Sequence, residues 1–245
     1  MHRRKSWRHS RDFLKEVGIV VLGVLLALGA EQAVEAVRWN GDVRQARAAL
    51  SVEFAGDIAL SEERARMAPC LAHRLKDIAG ILQQASQTGR LPPVGPLGGP
   101  PERTWNDPSW NSALASQTAA HLRREDLLAY SSFAAYASEL DAQNSQELQL
   151  WAELASITGP GRTIGPEEIG RLHTELSSAH FLAKAITFNS AQLARWIKRN
   201  GIARKGLWPD DPNDPAVVPT ACRPLGKAPP TYGNAPLREL PGWGA

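Results

Sequence analysis

The start of the chain constrains its fold most strongly, because a basic cluster is followed by an uninterrupted apolar stretch. The first eleven residues contain five basic side chains: Arg3, Arg4, Lys5, Arg8 and Arg11. Residues 17–30 contain no charged or polar side chain, but a helix of that length is about 21 Å long, which is short for a hydrocarbon core. Phe13 and Leu14 extend the apolar surface to residues 13–30, about 27 Å of helix. This pattern is typical of a membrane anchor or a signal peptide.

The residues after the apolar stretch favour an anchor that is retained. A signal peptide ends with small residues at positions −3 and −1, whereas Leu28-Gly29-Ala30 fails at −3 and Ala27-Leu28-Gly29 is a mediocre match. Helix-forming residues continue through residues 31–36, with no helix breaker before Gly41. We therefore predict a transmembrane signal anchor at residues 13–30. A cleaved, soluble periplasmic protein is the alternative.

The basic residues also predict orientation. The positive-inside rule places residues 1–12 in the cytoplasm as a basic tail, and everything beyond residue 30 in the periplasm of a bacterial inner membrane. The lipid bilayer is then the first partner of the chain. Gly23-x-x-x-Ala27 matches a small-xxx-small packing pattern, so self-association of the anchors is a further possibility.

Residues 13–28 read FLKEVGIVVLGVLLAL, and EQAVE follows at residues 31–35. This stretch resembles the start of an uncharacterised family of bacterial single-pass inner-membrane proteins, whose span follows the pattern E-(I/V)-x-(I/V)-V-x-x-G-(I/V)-L-(I/L)-A-L. The spacing of Trp105 and Trp110 is also similar. The resemblance implies an anchor and a compartment, and it brings no catalytic residues.

The distribution of charge argues against a nucleic-acid partner. Residues 1–16 hold six Lys and Arg against two Asp and Glu, so the other 229 residues hold 22 basic and 23 acidic side chains. The sequence pI near 9.0 therefore reflects the tail, and the exported part is nearly neutral and has no basic stripe.

The chain contains two cysteines, Cys70 and Cys222. In an oxidising compartment we predict that they form a disulfide, which would fasten the C-terminal region to an early helix. Two unpaired buried thiols are the alternative. Cys70 and His73 have the spacing of metal ligands, but no second pair completes a site, so we predict no metal and no cofactor.

Hydrophobic periodicity predicts an all-α fold, with a single N-terminal transmembrane helix that continues into an up-down helical bundle at residues 31–207. The first helix runs toward Met67, and Pro69 kinks it or begins a second helix. The Pro- and Gly-rich residues 91–101 are expected to form a mobile loop. Asp107-Pro108 is a typical N-cap and N1 pair for a short helix.

Two long helices follow in the sequence. The first is predicted from Arg124 to Ile157, and its apolar side consists of Leu127, Tyr130, Phe133, Ala137, Leu140, Leu148, Trp151 and Leu154. The second begins at Pro166 and carries a heptad seam: Ile169, Leu172, Leu176, Ala179, Ala183, Ile186, Ser190, Leu193 and Ile197. We expect this seam to pack within the bundle, with an intermolecular coiled coil as the alternative. Residues 208–245 form a predicted Pro-rich extended tail.

The segment Trp105-Asn106-Asp107-Pro108-Ser109-Trp110 is the most unusual part of the exported region. Trp105, Asn106, Asp107 and Trp110 are expected to line a small-molecule pocket or, as the favoured interpretation, to seal the bundle by packing. Elsewhere no nucleophile–base pair, paired carboxylates, Glu-x-x-His or phosphate-binding loop is recognisable, so we predict that the protein is not an enzyme.

The predicted function is therefore that of a membrane-anchored periplasmic helical protein, an interaction or scaffold element that meets another envelope protein. A ligand-binding or sensory helical domain is the alternative. Receptors built on helical bundles usually return through a second membrane span, which the sequence does not show, so a sensory role would need a partner.

Overall fold

The computed structural model describes residues 6–203 and 220–226, with side chains from residue 13 onward. Helix α1 (Ser6–Thr88) is continuous over 83 residues. Its apolar segment, with a mean hydropathy of 2.1, is long and apolar enough to cross a membrane, a criterion that an N-terminal signal sequence also meets. Residues 13–38 are exposed throughout, so this segment lies outside the packed bundle.

The structure gives the extent of α1 on both sides of the predicted anchor. The helix begins at Ser6, so it includes part of the predicted basic tail of residues 1–12. Pro69 lies within the helix and neither ends it nor begins a new one. Proline removes one backbone donor, but the stripe of Leu71, Leu75 and Ile78 beyond it is fully buried, and this tertiary packing outweighs the local penalty.

The remaining helices begin where the sequence predicts. They are α2 (Pro108–Ala115), α3 (Arg124–Leu154) and α4 (Pro166–Arg199), with 3-10 turns at Thr118–His121, Ala155–Ile157 and Thr220–Cys222. Pro108 and Pro166 occupy first-turn positions, where the missing N–H costs nothing. These elements confirm the all-α fold.

The three long helices follow an up-up-down order. Arg47 and Arg64 of α1 pair with Asp126 and Glu147 of α3, so α1 and α3 run in the same direction. Helix α4 is antiparallel to both. A strictly alternating bundle would require a helical return between α1 and α3, but here the extended chain of residues 92–107 returns along the bundle.

That returning segment is packed, and the expectation of a mobile loop at residues 91–101 is not met. Strands β1 (Arg90–Leu91) and β2 (Arg162–Thr163) form a two-residue antiparallel ladder, and Val94 pairs with Gly159 beyond it. Leu91, Val94 and Leu97 are buried. Proline and glycine exclude helix here, but the three apolar side chains still anchor the segment.

The core consists of two apolar clusters along the bundle axis. One is distal to the N-terminal segment and is built around Leu71, Leu75, Ile78 and Leu172. The other is proximal and is built around Leu50, Phe54, Phe133 and Leu193. All the seam positions predicted on α4 are buried except Ile169, which is half-buried, so the seam packs within the chain. Apart from residues 220–226, the predicted Pro-rich tail lies outside the described residues.

Candidate functional site

The tryptophan segment packs into the proximal cluster. Trp105 and Trp110 are 3% and 8% exposed, and Asp107 is 4% exposed, while Asn106 points to solvent. The Trp105 backbone N–H donates to the Asp141 carboxylate at 2.9 Å, which ties the returning segment to α3. The structure thus places both indoles in the core, the packing arrangement that the sequence favoured.

A small cavity of about 330 Å³ lies beside the two indoles. Its wall is mostly polar and includes Asn106, Asn111, Ser131, Ser138 and Asp141. Trp105, Asn106, Asp107 and Trp110, the four residues singled out in the sequence, therefore line one site.

Asp107 begins α2, as its position before Pro108 predicts, but its side chain does not cap the helix. The Glu53 carboxylate from α1 accepts hydrogen bonds from the Ser109 backbone N–H at 3.0 Å and from the Ser109 hydroxyl at 2.6 Å. Glu53 thus takes the capping role, because a carboxylate is stabilised by the unpaired N–H groups at a helix N-terminus.

Asp107 does not cap the helix, and it lies close enough to Glu53 and Asp57 for the charges of the three carboxyl groups to interact. Asp57 lies one helical turn beyond Glu53 on α1 and is 4% exposed. Oδ2 of Asp57 and both carboxyl oxygens of Asp107 have no hydrogen-bond partner among the described residues. Glu53, Asp57 and Asp107 are hereafter the carboxyl cluster.

Two members of the carboxyl cluster, Asp57 and Asp107, bind protons more tightly than isolated carboxyl groups do. Burial raises the pKa of Asp57 well above its ordinary value, and the charges of Asp107 and Glu53 raise it further. Burial, followed by the charge of Glu53, raises the pKa of Asp107 to about 7. The chemical capacity of this site is therefore to take up and release a proton near neutral pH.

A buried ion pair lies farther along the bundle and joins its three long helices. Arg64 donates to both carboxylate oxygens of Glu147, at 2.6 and 2.7 Å, and to the Ala183 carbonyl of α4 at 3.1 Å. The Ser61 hydroxyl also donates to the Ser190 carbonyl at 2.9 Å. This polar layer lies beside the two apolar clusters, which still share a contact with Leu150.

Neither the carboxyl cluster nor the polar layer follows from the predicted apolar stripes. The predicted apolar side of α3 includes Leu148, but Leu148 is half-buried and Glu147 is the residue with no exposure. The signal was a gap in the stripe between Leu140 and Trp151, because Asn144 and Glu147 continue its 4-3-4 spacing. A charged residue on a buried stripe indicates a buried partner.

Cys70 and Cys222 are joined by a disulfide, with a Cα–Cα distance of 4.8 Å. The Arg74 guanidinium, which is buried, donates beside this bridge to the carbonyls of Ala221 and Arg223. The Gly95 N–H donates to the Gly226 carbonyl at 2.8 Å. These contacts fasten residues 220–226 across α1 and the returning segment.

Within the described part of the chain, no group of three or more His, Cys, Asp or Glu side chains is placed to hold a metal ion. No protein-family model matches the chain, and neither a curated protein nor a solved structure shows significant similarity to it. The function is therefore inferred from the chain's own residues.

Proposed function

We propose that the protein is a single-pass bacterial inner-membrane protein, anchored by residues 13–30, which presents its helical domain in the periplasm as an interaction or scaffold element. The observation that carries this proposal is the form of α1. Its apolar segment is exposed, and the same helix continues without interruption into the packed bundle.

Two further features support the location. A cleavage site near residue 30 would lie inside a continuous helix, which a signal peptidase does not accept readily because it needs an extended segment. The disulfide is of a kind that persists in oxidising compartments. The five basic residues before Phe13 support a cytoplasmic N-terminus, and the resemblance of residues 13–35 to single-pass proteins agrees with it.

Fractionation and topology reporters test this proposal. The intact chain should stay in the membrane pellet after alkaline carbonate washing, and a reporter active only in the periplasm, fused after Ala245, should be active. A soluble form that begins near Ala30 would contradict the anchor. Activity of a cytoplasmic reporter at Ala245 would contradict the orientation.

A sensory domain that acts with a partner is a second candidate, and the carboxyl cluster favours it. A proton that binds near neutral pH couples the packing of residues 102–115 on α1 to the pH of the surrounding compartment. The stability of the domain should then depend on pH in the way set out in the Discussion.

A further inference from the structure

An apolar groove lies between α1 and α4 at the surface of the bundle, and its lining residues all belong to these two helices. Its volume is about 410 Å³, and its floor is formed by the buried side chains of Leu71, Leu75 and Ala183. Ala68 and Ala72 form one wall, and these small residues allow a helix to approach closely. On the α4 side the groove is bordered by Phe188, which is 62% exposed.

Phe181 extends this apolar border along α4. It lies seven residues, about two helical turns, before Phe188 and is 71% exposed. Single apolar residues scattered over a surface are normal, but a contiguous exposed apolar patch marks an interaction site. Phe181 and Phe188 form such a patch together with the groove.

The dimensions of the groove match a helix. It runs along residues 68–75 of α1, about 10.5 Å, which is the length that apolar side chains at i, i+3 or i+4, and i+7 of a helix occupy. A helix in this position would complete a four-helix arrangement with α1, α3 and α4.

The charged side chains beside the groove on α4 are basic. Lys184 lines it and makes no ion pair with any described residue, and Arg195 follows on the same face of α4. The only carboxylate between His173 and Arg195 is Glu175, which is buried beside Arg171. A partner that lays an apolar stripe in the groove is therefore favoured if it carries carboxylates along the edge of that stripe.

We propose that this groove binds an acidic amphipathic helix of another envelope protein, an inference that deepens and rests on the proposed function. A second copy is disfavoured, because a two-fold contact would offer the groove only the same patch, whose lining contains Lys184 and no carboxylate. Lipid is disfavoured by distance. Ala68 lies 38 residues beyond Ala30, about 57 Å along the helix axis from the end of the anchor.

The test uses the full chain in phosphatidylcholine nanodiscs and a matched pair of fluorescent peptides. Both peptides are about 20 residues long and share one Leu stripe, with Glu beside the stripe in one and Lys in the other. Binding is followed by fluorescence anisotropy, and empty nanodiscs correct for binding to lipid. We expect the Glu peptide to bind at least about tenfold more tightly than the Lys peptide.

Three variants locate the site. Lys184→Glu should reverse the preference between the two peptides, and Phe188→Ser should weaken the Glu peptide about tenfold. Leu128→Ser is the matched control, because Leu128 is 57% exposed on α3 and outside the groove, and it should leave binding unchanged. If Phe188→Ser unfolds the domain, the reversed peptide preference of Lys184→Glu still tests the proposal.

Equal affinities for the two peptides, or a loss of binding in Leu128→Ser, would overturn the proposal. So would a doubled mass by light scattering that Phe188→Ser reduces to the monomer, since the occupant would then be a second copy. Carbonate extraction and the reporter fusions do not involve the groove, so they show separately whether the anchored location fails.

Discussion

Arg64 and Glu147 form a two-point ion pair that is almost fully removed from solvent, with side-chain exposures of 6% and 0%. The residues are 83 positions apart and belong to the two parallel helices, and the same guanidinium reaches α4 through the Ala183 carbonyl. A shift of either helix by one turn would leave two buried charges unpaired. The pair therefore fixes the register of the bundle more than it adds to stability, since desolvation offsets much of its attraction.

Removal of one partner of this pair should be strongly destabilising. We expect Glu147→Gln to lower the free energy of unfolding by about 3–5 kcal/mol, because Arg64 is left as a buried charge. Replacement of both residues, Arg64→Met with Glu147→Leu, should recover most of that loss. Urea unfolding of the full chain in detergent, followed by circular dichroism, measures both. A double variant as unstable as the single one would show that the pair itself supplies the stability.

The carboxyl cluster predicts a loss of stability as pH rises. The folded pKa of Asp107, about 7, lies above its unfolded value, so the folded state holds a proton that the unfolded state releases. The stabilisation is complete below about pH 4 and is lost as pH rises through about 7, with Asp57 acting in the same direction. The total change should be of the order of a few kcal/mol.

Asp107→Asn should flatten this pH dependence, because it removes a titrating group and the repulsion that Asp57 experiences. Urea midpoints at pH 5 and pH 8 give the measurement. Glu139→Gln, an exposed change on α3, is the control and should keep the wild-type profile. A wild-type profile that is flat, or that rises with pH, would mean that the cluster is not protonated in the folded state.

The disulfide should be detectable on gels and in unfolding. Non-reducing electrophoresis should show a mobility change on reduction, and Cys70→Ser alone should abolish it. The bridge spans a sequence separation of 152, for which chain-entropy estimates give up to about 5 kcal/mol, often less in practice. Two thiols that react freely with an alkylating reagent in the native protein would contradict the pairing.

The seam of α4 should behave as core. Leu176 is 6% exposed, and its replacement by Ala should cost about 2–5 kcal/mol without a change in mass, since the seam packs within the chain. Lys184→Gln, on the outer face, should leave the thermal midpoint nearly unchanged. Arg171, although off the seam, is unsuitable as a control because it pairs with the buried Glu175. Thermal melts with light scattering distinguish these results. A change in mass on Leu176→Ala would favour the intermolecular coiled coil.

The local parts of this fold could be predicted from the sequence, and the non-local parts could not. Pro108, Arg124 and Pro166 mark helix starts through the residues around them, and the seam on α4 follows from spacing alone. The proximity of Asp57 to Asp107, by contrast, depends on how residues 92–107 return along the bundle, and no periodicity encodes that path. The parallel order of α1 and α3 was missed for the same reason.

The apolar groove cannot be predicted from the sequence, because its lining residues belong to two helices, α1 and α4. Ala68 and Ala72 look like ordinary helix-forming residues in α1, and Phe188 looks like a chance apolar residue on the outer face of α4. Only the antiparallel packing of the two helices brings them to one surface. The pairing of Cys70 and Cys222, in contrast, depended only on their number and the expected compartment.

In the proposed membrane-anchored arrangement, the continuous helix α1 would act as a rigid lever. With residues 13–30 in a bilayer, no hinge separates the lipid from the bundle, so any tilt of the anchor is transmitted along the rod. A tilt of about 10° would displace a point about 57 Å beyond the anchor by about 10 Å sideways. Changes in bilayer thickness, which alter helix tilt, would then move the α1–α4 groove sideways relative to the membrane and change which neighbours it can meet.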